Sequence, residues 1–110
     1  MSEPSMLDKT TSLLFRTRET QTIALKLLVT IRNRQIIGKP YTADEYHQFC
    51  KKHGFSEQTY QGVLSKLRQH GIVQKKGGHH AGRITLNTYF VLQLFQEWNE
   101  FLGAGYAKPQ

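Results

Sequence analysis

The polar residues between Ser56 and Arg83 are of types that hydrogen-bond to nucleic-acid bases and phosphates. At about 100° per residue along a helix over residues 57–70, one side carries only polar residues and a glycine. Glutamine can pair with adenine through two hydrogen bonds, and serine or threonine can bond several base edges. The candidate base contacts are Gln58, Gln61, Gly62, Ser65, Lys66 and Gln69, with Thr59 at the edge of this side.

Gly62 stands in the middle of this polar side. A glycine there costs the helix about 0.5–1 kcal/mol relative to alanine. That cost is explicable if the helix backbone must approach another surface closely. The alternative is a solvated polar face that tolerates a glycine.

A basic, glycine-rich segment follows the helix. Gly71 ends the helix, Ile72 and Val73 begin a strand, and residues 83–86 return as a second strand. The hairpin tip over residues 75–83 carries three cations that would bind phosphate or enter the minor groove: Lys75, Lys76 and Arg83. The alternative is a solvated hairpin kept soluble by its lysines. Weaker phosphate candidates are Lys39, Lys51, Lys52 and Arg68.

Two further helices must position these residues. A stripe at helical spacing predicts a first helix over about 18–34: Thr20, Ile23, Ala24, Leu27, Leu28 and Ile31. Tyr41 is predicted to form a short strand, and Thr42 with Glu45 forms a capping box that begins a second helix over about 43–53. Gly54 then supplies a short turn into the helix over 57–70. The inward side of that third helix is Tyr60, Val63, Leu64 and Leu67.

The run LSKLRQHGIVQKKGG, followed by RITL, resembles the recognition helix and wing of the winged helix-turn-helix superfamily. In that superfamily, Leu-x-x-Leu-x-x-x-Gly-Ile/Val marks the end of the recognition helix and the start of the wing. The resemblance implies an α+β fold with a three-helix core, a small antiparallel wing and, here, an added C-terminal helix. It also implies sequence-specific binding of double-stranded DNA by a small transcriptional regulator. The helix over 57–70 would enter the major groove, and the wing over 75–83 would contact phosphate or the minor groove.

Other functions fit the same pattern. A plasmid or viral replication or partition protein would bind DNA through the same elements. In a protein-interaction winged helix, the wing and third helix contact protein instead. An RNA-binding winged helix is a third possibility, although the wing lacks aromatic residues for base stacking.

The domain is predicted to span residues 17–102, between an N-terminal tail over 1–16 and a C-terminal tail over 103–110. Its last helix, over 88–102, carries more apolar residues than one stripe needs, and Leu25 and Val29 lie off the stripe of the first helix. The apolar run Leu13–Phe15 should dock on the domain or on a partner subunit. Surplus apolar surface predicts a homodimer. Its interface would comprise Leu94, Phe95, Trp98, Phe101 and Leu102.

Composition supports an anionic partner. The chain has 110 residues, enough for one modest core, with a formal net charge of +7 that favours a polyanion. The single cysteine, Cys50, excludes an internal disulfide and suggests an intracellular, cytoplasmic location. No apolar run approaches the roughly 18 residues of a membrane span. The N-terminus lacks the order of a signal peptide, so we expect no membrane partner.

Catalytic and metal chemistry are not expected. His47, Cys50 and His53 spread over about 120° of a helix and do not converge on a metal ion. Asp44 and Glu45 have a capping role, and no phosphate-binding loop pattern occurs. The sequence therefore predicts a binding protein without a cofactor, and not an enzyme.

Overall fold

The computed structural model describes residues 6–77, 82–87, 92–94, 96, 97, 100, 101 and 103, with the side chains of residues 6–8 and 10 outside this description. Four α-helices and three strands lie wholly within these residues, in addition to the partly described last helix. They are α1 (Met6–Leu14), α2 (Arg18–Ile36), β1 (Tyr41–Thr42), α3 (Tyr46–His53), α4 (Glu57–Gln69), β2 (Val73–Lys76) and β3 (Arg83–Leu86), with a 3₁₀ turn at Ala43–Glu45. The α+β class is confirmed. Within the described residues, no helix combines the length and apolarity that a membrane span needs.

Helix α2 forms the centre of the core. Its buried residues are those of the predicted stripe: Ile23, Ala24, Leu27, Leu28 and Ile31. The Thr17 hydroxyl accepts a hydrogen bond from the Thr20 N–H and so caps the start of this helix. Leu25 and Val29, which lie off the stripe, are half-buried. They therefore contribute less exposed apolar surface than the sequence predicts.

The strands form an antiparallel sheet in the order β1-β3-β2. Tyr41 of β1 pairs with Ile84 of β3, which in turn pairs with Lys75 of β2. Two contacts hold the β2–β3 hairpin: near its tip the Ala43 N–H donates to the Gly82 carbonyl oxygen (2.8 Å), and at its base the Leu86 N–H donates to Gln35 Oε1 of α2 (2.7 Å). The hairpin is thereby attached to both α2 and the start of the second predicted helix.

An ion pair closes the junction between α2 and the 3₁₀ turn. Arg34 donates two hydrogen bonds to the Glu45 carboxylate, at 2.6 and 3.1 Å, and a third to the Lys39 carbonyl oxygen. The Thr42 N–H and hydroxyl also donate to Glu45, which confirms the capping box. Burial raises the pKa of Glu45, but its hydrogen bonds with Arg34 and Thr42 outweigh burial and lower that pKa overall.

An aromatic cluster joins β1, α3 and α4. Phe49 of α3 contacts the rings of Tyr41 and Tyr60 at centroid distances of 6.3 and 5.5 Å. The Tyr41 and Tyr60 hydroxyls share a buried hydrogen bond of 2.9 Å. Burial raises the pKa of Tyr41 to about 12 and raises the pKa of Tyr60 as well, so both side chains are neutral near pH 7.

The N-terminal segment differs from the predicted tail. Met6–Leu14 form helix α1, Thr11 is buried, and Phe15 belongs to the core with 4% of its surface exposed. The physical reason is a short amphipathic pattern, in which Leu7, Thr11, Leu14 and Phe15 recur at helical spacing. The expected docking of this segment on the domain is confirmed for Phe15. Leu13, by contrast, is exposed.

The predicted last helix is described at residues 92–94, 96, 97, 100 and 101, all of which are helical. Gly103 has φ +85°, and its N–H donates to the Glu100 carbonyl oxygen, in keeping with the predicted end of this helix. Leu94 and Phe101 are 41% and 79% exposed. The other predicted interface residues, Phe95, Trp98 and Leu102, lie outside the described residues.

The hydroxyl pair of Tyr41 and Tyr60 predicts non-additive mutational effects. Tyr41→Phe and Tyr60→Phe should each cost about 1–3 kcal/mol of unfolding free energy, because each leaves one buried hydroxyl without a partner. The double variant should cost clearly less than the sum of the two. Urea denaturation of the four proteins measures this. The control is Tyr46→Phe, since Tyr46 is half-buried and its hydroxyl makes no hydrogen bond within the described residues. Additive losses for the Tyr41 and Tyr60 pair would contradict the prediction.

Candidate nucleic-acid interface

Helix α4 divides into a buried side and an exposed side. Tyr60, Val63, Leu64 and Leu67 are buried, as predicted. The Ser56 hydroxyl accepts from the Thr59 N–H at 3.4 Å and caps the helix. Among the candidate base contacts, five are exposed and Thr59 is half-buried at the edge; the exposed ones are Gln58, Gln61, Gly62, Ser65 and Gln69.

The exposed polar side chains of α4 have no hydrogen-bond partners within the described residues. Within the described residues, Gln58, Gln61, Ser65 and Gln69 make no side-chain hydrogen bond. Their amides and hydroxyl therefore retain their full capacity to donate to and accept from an external partner. This is a row of hydrogen-bonding groups on a rigid helix, which is the form that a base-reading surface takes.

Gly62 is not required by the fold. Its φ is not positive, and a Cβ built on its backbone would meet no heavy atom within 4 Å. Neither a left-handed conformation nor a close neighbour within the chain explains the glycine. Both explanations from the sequence stay open, namely an external surface that approaches the helix there and a solvated face that tolerates a glycine.

Lys66 occupies a different position from the one predicted. Instead of lying within the exposed face, Lys66 is half-buried at its edge. Its ammonium lies over the ring of Phe15, 5.4 Å from the centroid. That contact is a cation–π interaction, so the lysine stem packs against the end of α1 while its charge remains at the surface.

The hairpin places its three cations on two faces. Lys76 and Arg83 are cross-strand partners and both are exposed. Lys75 is half-buried on the opposite face, where its partner is the buried Ile84. Since like charges directly opposite each other destabilise a hairpin, the Lys76–Arg83 pair is unfavourable until an anion neutralises it.

The weaker phosphate candidates Lys39, Lys51, Lys52 and Arg68 are all exposed. Lys52 lies with Lys26 near His53. Burial lowers the pKa of His53, and the two lysines lower it further. Lys26 of α2 and Lys52 of α3 therefore lie close to each other, at the side of the domain where α2 and α3 meet.

The residues tested for metal binding have other roles. His47 Nδ1 lies 2.6 Å from Glu57 Oε2, so this pair links α3 to the first turn of α4. Cys50 is buried, and burial raises the pKa of its thiol, while the His53 ring packs against Phe49. Among the described residues, no group of three His, Cys, Asp or Glu side chains could hold a metal ion.

Arg16 was absent from the predicted set. It lies between α1 and α2, beside Thr59, Gly62 and Lys66 of α4. The helical spacing of Leu7, Thr11, Leu14 and Phe15 was the signal that could have indicated it. That spacing indicates that the segment before Arg16 is helical and docks on the domain, but the proximity of Arg16 to α4 depends on the tertiary contact of Phe15 with Lys66.

An archaeal family model matches residues 4–98. The chain belongs to this archaeal family. No curated protein and no solved structure matches the sequence. In this archaeal family member, the matched range includes α1, Arg16, all of α4 and both strands of the hairpin. The candidate interface is therefore within the part of the chain that the family shares.

The environment of Gly62 predicts a gain in stability on substitution. Gly62→Ala should raise the unfolding free energy of the free protein by about 0.5–1 kcal/mol, because alanine restricts the unfolded chain and meets no neighbour. Urea denaturation measures the change. Gly54→Ala is the matched control and should destabilise, since Gly54 has φ +75°. A loss of stability at position 62 would show that the fold itself needs this glycine.

Proposed function

We propose that this chain is a winged helix-turn-helix protein that binds double-stranded DNA in a sequence-specific way, as a small transcriptional regulator. Three features support the fold assignment: the order of α2, β1, α3, α4 and the β2–β3 hairpin; the short turn at Gly54; and the sheet order β1-β3-β2. The hairpin then corresponds to the wing and α4 to the recognition helix.

One observation carries the proposal. The exposed polar face of α4 is followed, after only residues 70–72, by a hairpin that holds Lys76 and Arg83 side by side. Within the described residues, neither cation has a carboxylate partner. The repulsion between Lys76 and Arg83 destabilises the hairpin of the free protein. A bound polyanion neutralises both charges, so that their proximity becomes favourable.

In the proposed mechanism, α4 and the β2–β3 hairpin have different roles. The major groove admits an α-helix, so Gln58 and Gln61 can reach base edges and pair with adenine. Lys76 and Arg83 neutralise phosphates beside the helix or enter the minor groove, with release of counterions. Lys75 lies on the other face of the hairpin and contributes less.

The salt dependence of binding tests the proposal. Affinity for duplex DNA should fall steeply between about 50 and 200 mM salt, because several phosphates are neutralised. Lys76→Ala and Arg83→Ala should each reduce the slope of log affinity against log salt by about 1, with a smaller effect for Lys75→Ala. Fluorescence anisotropy with labelled duplex measures all of these values.

Gln58→Ala and Gln61→Ala provide the matched comparison. They remove no charge, so the salt slope should stay unchanged while preference at one or two base pairs is lost, by about 1–3 kcal/mol. A flat salt response of the parent, or no binding at low salt, would refute DNA binding. Binding of a protein partner through α4 and the hairpin would then be the remaining use of this surface.

We further propose that the protein acts as a homodimer through its last helix. Leu94 and Phe101 are exposed apolar residues seven positions apart, so they lie on the same side of this helix. Exposed apolar surface on one side of a helix is typical of an interface. A two-fold dimer would place two α4 helices on half-sites about 34–36 Å apart, or a multiple of that distance.

Phe101→Glu tests the dimer, because it places a charge in the proposed interface at a side chain that is 79% exposed in the single chain. Sedimentation should show a dimer for the parent and a monomer for the variant, with weaker binding to an inverted repeat. Ile36→Glu is the control, since Ile36 is apolar and 74% exposed but lies at the end of α2. A parent that sediments as a monomer at tens of micromolar would contradict the prediction.

A further inference from the structure

An open groove of about 380 Å³ lies between α4 and the junction of α1 with α2. Helix α4 contributes Thr59, Gly62 and Lys66, which recur every three or four residues and so form one edge of the helix. The junction contributes Phe15 and Arg16. The groove therefore lies directly beside the exposed face of α4.

The lining of this groove combines an apolar floor with a cationic rim. Phe15 and Val63 supply the apolar surface, and Gly62 leaves the floor open. Arg16 and Lys66 supply the charge, and none of the residues that line the groove is acidic. A sugar–phosphate chain has the complementary chemistry, with apolar deoxyribose carbons and an anionic phosphate.

The backbone beside Arg16 is held in a defined position. The Phe15 N–H donates to the Thr11 carbonyl oxygen at 3.0 Å, and Gln21 Nε2 donates to the Phe15 carbonyl oxygen at 2.8 Å. Phe15 itself is buried, and Thr17 on the other side of Arg16 caps α2. The backbone is thus fixed on both sides of the arginine, which reduces the ordering cost of a contact.

We propose that this groove seats a sugar–phosphate segment of one strand of the bound duplex, with Arg16 and Lys66 as its phosphate contacts. The inference rests on the proposed function. When a helix lies in the major groove, its edges face the flanking strands, and the edge formed by Thr59, Gly62 and Lys66 faces one of them. The absent side chain of Gly62 lets that strand approach the helix backbone. Helix α1 therefore belongs to the DNA-binding surface because it positions Arg16.

The test uses full-length variants and duplex DNA of random sequence. Arg16→Ala should reduce the salt slope by about 1, since one phosphate contact is lost. Arg18→Ala is the matched control, because Arg18 carries the same charge two residues away and does not line the groove. Its effect on the slope should be less than about half that of Arg16→Ala.

Gly62→Leu fills the groove and should weaken duplex binding by about tenfold or more. Asn33→Leu adds an exposed leucine at the far end of α2 and should bind like the parent. If Gly62→Leu does not fold, Gly62→Ala is measured instead. Gly62→Ala should bind duplex DNA more weakly than the parent, although it should be more stable than the parent.

The outcomes separate the two proposals. If the parent binds duplex with a steep salt slope while Arg16→Ala, Gly62→Leu and Gly62→Ala bind as the parent does, the groove proposal is overturned and DNA binding stands. Equal slope changes for Arg16→Ala and Arg18→Ala would likewise overturn it, because the effect would then be general electrostatics. A parent that binds no duplex refutes the proposed function, and the groove proposal with it.

Discussion

The buried hydrogen bond between the Tyr41 and Tyr60 hydroxyls is the contact on which the relative position of the two proposed DNA-binding elements depends. Tyr60 belongs to α4, and Tyr41 belongs to β1, which pairs with β3 of the hairpin. The bond therefore links the helix to the sheet across the core. Because each hydroxyl would be costly to bury alone, the pair favours one arrangement over alternatives in which α4 slides or rotates against the sheet.

Charge is distributed unevenly around this fixed frame. Within the described residues, Arg34 forms an ion pair with Glu45 and His47 is in hydrogen-bond contact with Glu57, and both contacts join neighbouring elements of the scaffold. Arg16, Lys66, Lys76 and Arg83 have no carboxylate partner there. The carboxylates thus stabilise helix junctions, while the cations beside α4 remain available to an external anion. Such a division suits a protein that must keep its fold and still offer positive charge to a polyanion.

Much of the fold could be predicted from the sequence, because the signals are local. Helical spacing indicates the buried sides of α2 and α4, and Thr42 with Glu45 marks the start of the second predicted helix. Glycines at positions 54 and 71 end the elements before them, both with φ +75°. Helix α1 was missed because its pattern is short and its apolar residues gain stability only by packing on the domain.

The candidate site was less predictable because it depends on tertiary register. Alternation along β2 shows that Lys75 and Lys76 face apart, but only the pairing with β3 shows that Lys76 lies beside Arg83. The position of Lys66 depends on Phe15, a residue 51 positions away in sequence, and no local pattern predicts that contact. The same tertiary contact brings Arg16 to the edge of α4. The winged-helix resemblance, by contrast, points to the recognition helix and wing and gives no reason to include α1.

The central claim is that the exposed face of α4 and the outer face of the hairpin form one DNA-binding surface. Amide chemical-shift changes in the isotope-labelled chain, recorded as duplex DNA is added, test this claim most directly. The account predicts the largest changes at Gln58, Gln61, Gly62, Lys76 and Arg83. A separate groove lies between α2 and α3, and Thr30, Gln48 and His53, which line it, should change little. Changes centred on that separate groove, with α4 and the hairpin unaffected, would contradict the account.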